Sequence, residues 1–137
     1  MQLLVYISLL DYQMTNLHKI NKLFFSLRCA LSGLGTVFKE EQNFKTEVLL
    51  AAFTLLAGVA IQISKIEMIV VIICITIVLT TEIINTAIED LCDKVEPHHD
   101  KTIGKIKDIM AGSVLIASVS SLVVGAIIFV PKIFALI

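Results

Sequence analysis

Three apolar stretches constrain this chain more than anything else in it: VLLAAFTLLAGVAIQI at 48–63, MIVVIICITIVLTTEII at 68–84 and MAGSVLIASVSSLVVGAIIFV at 110–130. A membrane span needs about 20 mostly apolar residues; the first two stretches are short of that, but each has helical neighbours to extend into. Hydrophobic residues make up 57% of the 137, and mean hydropathy is +0.92, outside the ordinary range of a soluble domain of this size. One small all-α integral membrane domain with three transmembrane helices is expected.

Charge placement orients the spans. Lys19, Lys22, Arg28, Lys39 and Lys45 precede the first, and Lys94, Lys101, Lys105 and Lys107 lie between the second and third, against Lys65 and Lys132 on the other side. An excess of Lys and Arg in short loops marks the cytoplasmic face. The N-terminus and the 90–109 loop are therefore expected in the cytoplasm, and the 64–67 turn and the C-terminus outside. Net charge is −1, so no basic surplus points to nucleic acid, and none is expected as a partner.

Ahead of the first span, NLHKINKLFFSLRCALSGLGTVFKEEQNFKTE spaces Leu23, Leu27, Ala30, Leu31 and Leu34 at near-helical intervals, with Lys22 and Arg28 among the polar positions. That pattern predicts a basic amphipathic helix lying in the membrane interface. Gly33 and Gly35 are expected to loosen it before a second helical stretch enters the bilayer. Pro97 and Gly104 predict a turn near 95–104. Cys29, Cys74 and Cys92 are odd in number and widely spaced, which supports neither a zinc site nor a disulfide framework, and they read as apolar packing residues. The opening MQLLVYISLLDYQM lacks the charged n-region and cleavage pattern of a signal peptide. The change of character at TNLHKINKLFF makes Met14 a candidate start, with 1–16 an N-terminal extension and 17–137 a single domain.

The chemistry-bearing residues sit where the second span meets the cytoplasm. If 68–92 is one helix, Glu82, Asn85 and Glu89 of TEIINTAIED fall at i, i+3 and i+7 on one face, and Asp93 continues it. The rise from Glu82 to Glu89 is about 10 Å, enough to join an apolar boundary to cytoplasmic water. A charged carboxylate at a helix centre costs roughly 2.5–3.5 kcal/mol on insertion scales and normally faces a bundle interior or polar cavity. Hydrogen-bonded cross-links between helices account for one such residue; three on one stripe favour a working site.

Glu40, Glu41 and Glu47 of FKEEQNFKTE form a second acidic cluster at the same interface. Glu41 with Glu89 has the chemistry to hold Mg²⁺, which takes one or two carboxylates together with water and substrate phosphates. Beside Lys39 and Lys45, the same glutamates also read as a solvated charged face. Lys105 and Lys107 of GKIKDIMAG can meet phosphate oxygens or simply mark a membrane boundary. Asp108 can contact a ligand or cap a helix N-terminus, while His98 and His99 with Asp100 lack a specific zinc-ligand spacing. Ala111, Gly112 and Ser113 are candidates for an interfacial lipid pocket.

Together, EEQNFKTE before the first span, EIINTAIEDLCD across the cytoplasmic end of the second and KIKDIMAGSVLIAS opening the third resemble the prokaryotic diacylglycerol kinase family, which includes the undecaprenol kinases. The resemblance runs from about Lys22 to Lys132. It implies a homotrimeric membrane kinase of the bacterial inner membrane, each subunit having a surface helix and three spans. Such a kinase transfers the ATP γ-phosphoryl group to a lipid alcohol, diacylglycerol or undecaprenol. The resemblance further implies Glu82 as general base with Asn85 beside it, Glu41 and Glu89 as Mg²⁺ ligands, and Lys107 and Asp108 as nucleotide contacts. Lys22 and Cys29 match nucleotide-proximal positions, and His98, His99 and Asp100 match a loop over the nucleotide. Family members often carry Arg at 22 and 45 and an aromatic residue at 29, so this chain departs from the pattern there. No G-x-x-x-x-G-K-[ST] phosphate loop is present. A competing class is a small ion-coupled transporter or channel subunit with Glu82 as the ion site; a noncatalytic scaffold would need none of these residues together.

Overall fold

In the computed structural model, which describes the backbone of residues 2–135 and the side chains of residues 21–135, all three apolar stretches fall on helices. Helix α1 spans Gln2–Glu40, α2 Gln42–Ala60, α3 Lys65–Val95 and α4 Lys101–Phe134. The last three are long and apolar enough to cross a membrane. The fold is all-α, with three membrane-spanning helices behind an N-terminal helix.

The chain divides into two units, Met1–Thr36 and Val37–Ile137. Within the first, Leu23, Leu27, Leu31 and Leu34 are exposed, which leaves their apolar stripe free for an acyl boundary. Contrary to expectation, Gly33 and Gly35 do not interrupt α1. A glycine costs a helix only about 1 kcal/mol relative to Ala, and no proline follows to force a break; Thr36 instead donates its hydroxyl to the Ser32 carbonyl within the helix. Cys29 is exposed rather than packed, whereas Cys74 is half-buried and Cys92 buried.

The break between α1 and α2 falls at Glu41, whose backbone is extended at φ −93°, ψ 118°. Its N–H still donates to the Val37 carbonyl at 2.8 Å, and its carbonyl accepts from the Lys45 N–H at 3.3 Å. The chain therefore bends here with its backbone groups satisfied, as a membrane interface requires. Lys45 Nζ donates to the Lys39 carbonyl at 2.8 Å, placing a cation on the exposed carbonyls at the end of α1. Phe38 and the buried Phe44 meet edge to face, ring centroids 6.4 Å apart, across the same bend.

Helix α3 packs against both α2 and α4. Two ion pairs bracket the antiparallel α3–α4 pair: Lys132 with Glu67 at 3.5 Å at one end, and Lys107 with Asp93 at the other. Glu67 and Asp93 are separated by about 39 Å of helix at 1.5 Å per residue. That exceeds the roughly 30 Å hydrocarbon core and falls just short of the roughly 40–45 Å of a whole bilayer, so the pairs match the two headgroup layers. Within the span, the hydroxyls of Thr54, Thr76 and Thr81 donate to the carbonyls four residues back, at 2.8, 2.8 and 2.7 Å. Each polar group is thus satisfied inside its own helix, which is how Thr is tolerated in lipid. Ser121 Oγ reaches the Cys74 carbonyl at 3.5 Å, a weak tie between α3 and α4.

The α2–α3 turn occupies residues 61–64, so the first span ends at Ala60 rather than running to 63. Gln62 adopts φ 54°, and the chain folds back so closely that a Cβ on Gly58 would stand 2.9 Å from Ile63 Cδ1. Ser64 and Glu67 then start α3 with a reciprocal capping box, in which the Ser64 N–H donates to the Glu67 carboxylate at 2.6 Å and the Glu67 N–H to Ser64 Oγ at 3.3 Å. At its other end α3 stops just before Pro97, as expected. Gly104, expected in a turn, instead lies in the first turns of α4, because Asp100 caps that helix four residues earlier. Asp108 is accordingly interior to α4 and does not cap it.

Candidate functional site

Glu82 is 3% exposed, and Asn85 and Thr86 beside it are also buried. They are the buried polar side chains of the described residues, and all three lie on α3. The stripe expected from i, i+3, i+7 spacing therefore faces the bundle interior rather than acyl chains. Glu82 lies about 22 Å along α3 from Glu67 and about 16 Å from Asp93. It sits inside the span, nearer the Asp93 end of α3 than the Glu67 end.

The start of α2 covers Glu82. Asn43 lies against its carboxylate, and Glu41 and Glu89 are close enough to act on it electrostatically. Glu47, one turn further along α2, is likewise coupled to Glu82. Three of the expected residues, Glu41, Glu82 and Glu89, are thus gathered from two helices. Glu41 occupies the N-cap position of α2, yet its side chain makes no capping hydrogen bond, which leaves the carboxylate available to a ligand.

One turn above Glu82, Asn85 Nδ2 donates to Glu89 Oε1 at 2.9 Å. Two buried acceptors around the site have no donor: Asn85 Oδ1 and Glu47 Oε2. Such atoms cost about 1–3 kcal/mol each when left unpaired, and in native proteins they mark places where a ligand, ion or water supplies the missing partner. The sequence places Glu47 in an acidic cluster without pairing it with Glu82, and nothing in it singles out Asn43. The signal available was spacing: Glu47 is five residues into α2, where an antiparallel neighbour brings it level with Glu82.

Lys107 Nζ donates to Asp93 Oδ1, and Glu89 lies near enough to act on the same ammonium. The lysine therefore joins the Asp93 end of the acidic face. Asp108, next along α4, is exposed, about 100° around the helix from Lys107. His98, His99 and Asp100 form the exposed α3–α4 connection. There the His98 N–H donates to Glu96 Oε1 at 3.0 Å, and Asp100 Oδ1 accepts from the N–H groups of Thr102 at 2.8 Å and Ile103 at 3.0 Å. Those N–H groups, Ile103 first and then Thr102, hold the Asp100 carboxyl below its ordinary range. Lys22 and Cys29 belong to the first unit, where both are exposed.

Among the described residues, no cluster of three or more His, Cys, Asp or Glu side chains is poised to hold a metal. A two-carboxylate set does fit Mg²⁺, whose remaining positions are normally filled by water and phosphate oxygens. Glu41, uncommitted to its cap, and Glu89, bonded to Asn85, are two carboxylates that each lie within electrostatic reach of Glu82. A groove of about 540 Å³ runs below them between α2, α3 and α4, with Glu47 at one end and a lining of Leu, Val, Ile, Phe, Ala, Thr, Ser and Cys. Ala111, Gly112 and Ser113 are not part of it.

Residues 28–129 match the family model of prokaryotic diacylglycerol kinase. The chain is 30% identical over 115 residues to an undecaprenol kinase of Bacillus subtilis, covering 84% of this chain and 94% of that protein. It is 32% identical over 120 residues to a diacylglycerol kinase of Haemophilus influenzae, covering 86% and 98%. A diacylglycerol kinase of Synechocystis is 27% identical over 115 residues, covering 83% and 66%. The chain belongs to the prokaryotic diacylglycerol kinase family.

Proposed function

We propose, with membership of this family as the premise, that the chain is an ATP-dependent lipid kinase. It transfers the γ-phosphoryl group to the hydroxyl of a membrane lipid, diacylglycerol or undecaprenol, at the cytoplasmic face of a bacterial inner membrane. The observation that carries this reading is the burial of Glu82 within the span, at 3% exposure, on a face that continues through Asn85 and Glu89 towards Lys107. A reaction joining a substrate that stays in lipid to one that stays in water needs a polar face of that length.

In this reading Glu82 accepts the proton of the lipid hydroxyl as its oxygen attacks the γ-phosphorus. The bond from that phosphorus to the β,γ-bridging oxygen breaks, ADP leaves, and the products are the lipid phosphate and a proton delivered from Glu82 to solvent. General base catalysis of this kind contributes about 10²–10⁴-fold. Asn85 orients Glu89 through its amide and presents its unpaired Oδ1 to the reacting side of the helix. Glu41 and Glu89 would hold Mg²⁺, which when bound would neutralise charge on the phosphate oxygens. Lys107 exchanges Asp93 for a phosphate oxygen when nucleotide arrives. Asp108, His98, His99 and Asp100, with Lys22 and Cys29, complete the nucleotide side by family resemblance. Phosphoryl transfer rests mainly on positioning and charge neutralisation, so this set suffices without a phosphate loop. A homotrimer follows from the same resemblance.

The test is transfer of radiolabelled phosphate from ATP to each lipid in mixed micelles by purified protein. Mg²⁺-dependent labelling of either alcohol is the expected result. No labelling of either, together with ion flux in liposomes without ATP, would replace the kinase with a transporter.

A further inference from the structure

Between Gln2 and Ala60 a single residue stands outside a helix, and it is Glu41. Nothing local breaks the chain there. Proline and glycine, the usual causes of a sharp kink, are both absent between Val37 and Glu47. Glutamate is not among the residues favoured at an N-cap, and Glu41 makes no capping hydrogen bond. An uninterrupted helix through residue 41 would complete the backbone bonds that a helix end leaves open, so side chains must hold the break.

Two contacts do so. The buried Phe44 meets Phe38 edge to face across the bend, a geometry that adds to the burial of the rings. Lys45, half-buried, sends its ammonium back to the Lys39 carbonyl at 2.8 Å. Lys39 is the next-to-last residue of α1, and its carbonyl is one that an ending helix leaves without a partner. In a continuous helix that carbonyl would accept from the Asn43 N–H, and Lys45 would lie about 120° away around the axis. The contact therefore belongs to the bent form alone. Carboxylates are close in sequence at Glu40, Glu41 and Glu47, yet among the described residues Lys45 forms an ion pair with none of them. Its charge goes to the backbone, and the Glu41 carboxylate stays uncommitted.

Resting on the kinase reading above, in which Glu41 would hold Mg²⁺, we propose that Lys45 is a positioning residue for that carboxylate. Its bond to the Lys39 carbonyl, backed by Phe38 and Phe44, keeps Glu41 out of the helix and in the extended conformation from which it serves the site. Closing the helix through residue 41 would carry ψ from 118° to about −42° and turn the start of α2 relative to the last turn of α1. Glu41 would then join a regular helical face. Groups that hold a metal ligand in place typically contribute about 10–100-fold to metal affinity, so loss of the Lys45 bond should be felt at the metal although the ammonium touches neither metal nor substrate.

Lys45→Met keeps the apolar stem and removes the donor. In full-length protein labelled with carbon-13 glutamate and held in lipid bilayers, the Glu41 Cα shift should report an extended residue in the wild type and a helical one in Lys45→Met, a readout that holds even if turnover is lost. Mn²⁺, titrated by electron paramagnetic resonance with a nonhydrolysable ATP analogue present, should bind Lys45→Met about tenfold more weakly, and the Mg²⁺ needed for half-maximal activity should rise by the same factor. Lys45→Arg, which restores a donor, should match the wild type in all three measurements. Lys39→Met should match it too, because the acceptor is backbone. In a Glu41→Gln background, Lys45→Met should cause no further loss of Mn²⁺ affinity, as expected of two residues that act through one contact. An extended Glu41 in Lys45→Met, an unchanged Mn²⁺ affinity, or a full additional loss in the Glu41→Gln background each overturn the assignment. None of those results touches the kinase reading, which fails only if wild-type protein phosphorylates neither alcohol.

Discussion

Asn85 and Glu89 are joined across one turn of α3 by an amide-to-carboxylate hydrogen bond of 2.9 Å, while the other end of the same amide, Oδ1, is buried without a donor. One side chain thus holds a carboxylate with one end of its amide and keeps the other end as a buried, unpaired acceptor. A cross-link serving only to hold helices together would run between helices and leave neither end open.

Asn85→Ala removes the tether on Glu89. A hydrogen bond to a charged group contributes about 1.5–3 kcal/mol, so the Mg²⁺ concentration for half-maximal activity should rise about tenfold or more. Asn85→Asp should be worse, since it sets two carboxylates one turn apart. Magnesium titrations of initial rate check both, and an unchanged requirement in Asn85→Ala would show that Glu89 is not held for a metal.

Glu82→Gln keeps the shape of the side chain and removes the proton acceptor. Its kcat should fall about 10²–10⁴-fold, with nucleotide binding intact, as measured by titration of a fluorescent ATP analogue. Glu89→Gln should reverse that pattern by weakening nucleotide binding in Mg²⁺. If Glu82→Gln keeps most of its activity, the base lies elsewhere.

The Asp100 cap on α4 gives a pH dependence of known sign. The folded carboxyl is held below its ordinary value by the Ile103 and Thr102 N–H groups. The cap therefore stabilises the first turn fully above the unfolded value, about 3.9, and is lost as pH falls through the lower folded value. Amide exchange at Thr102 and Ile103 should accelerate below about pH 4. Asp100→Asn, which still caps but does not titrate, should abolish the acceleration.

Topology is testable by thiol labelling of right-side-out vesicles, in a background where the exposed Cys29 is replaced by Ser. His99→Cys should react with an impermeant maleimide only after the membrane is opened, and Lys65→Cys should react before. The opposite order would invert the orientation expected from nine cytoplasmic against two external cations.

Much of this molecule was legible from residue order alone. Apolar runs long enough for a bilayer demand helices, because lipid offers backbone groups no other partner, and the Glu82–Asn85–Glu89 stripe follows from helical spacing without knowledge of any neighbour. Pro97 marked the end of α3 for the same local reason. Local signals misled where they were weak: Gly33, Gly35 and Gly104 are permissive of a break without requiring one, and the bend went to Glu41 and the cap to Asp100.

The tertiary arrangement decided what spacing cannot reach. Periodicity says which residues share a face, not what that face meets; only the antiparallel packing of α2 on α3 turns the stripe inward and brings Asn43 and Glu47 to Glu82. The same packing creates the groove, since a cavity depends on side chains brought level from three helices, far apart in the chain. Charges behave alike: Lys107 and Asp93, or Lys132 and Glu67, are unremarkable singly, and become clamps only when register sets them face to face.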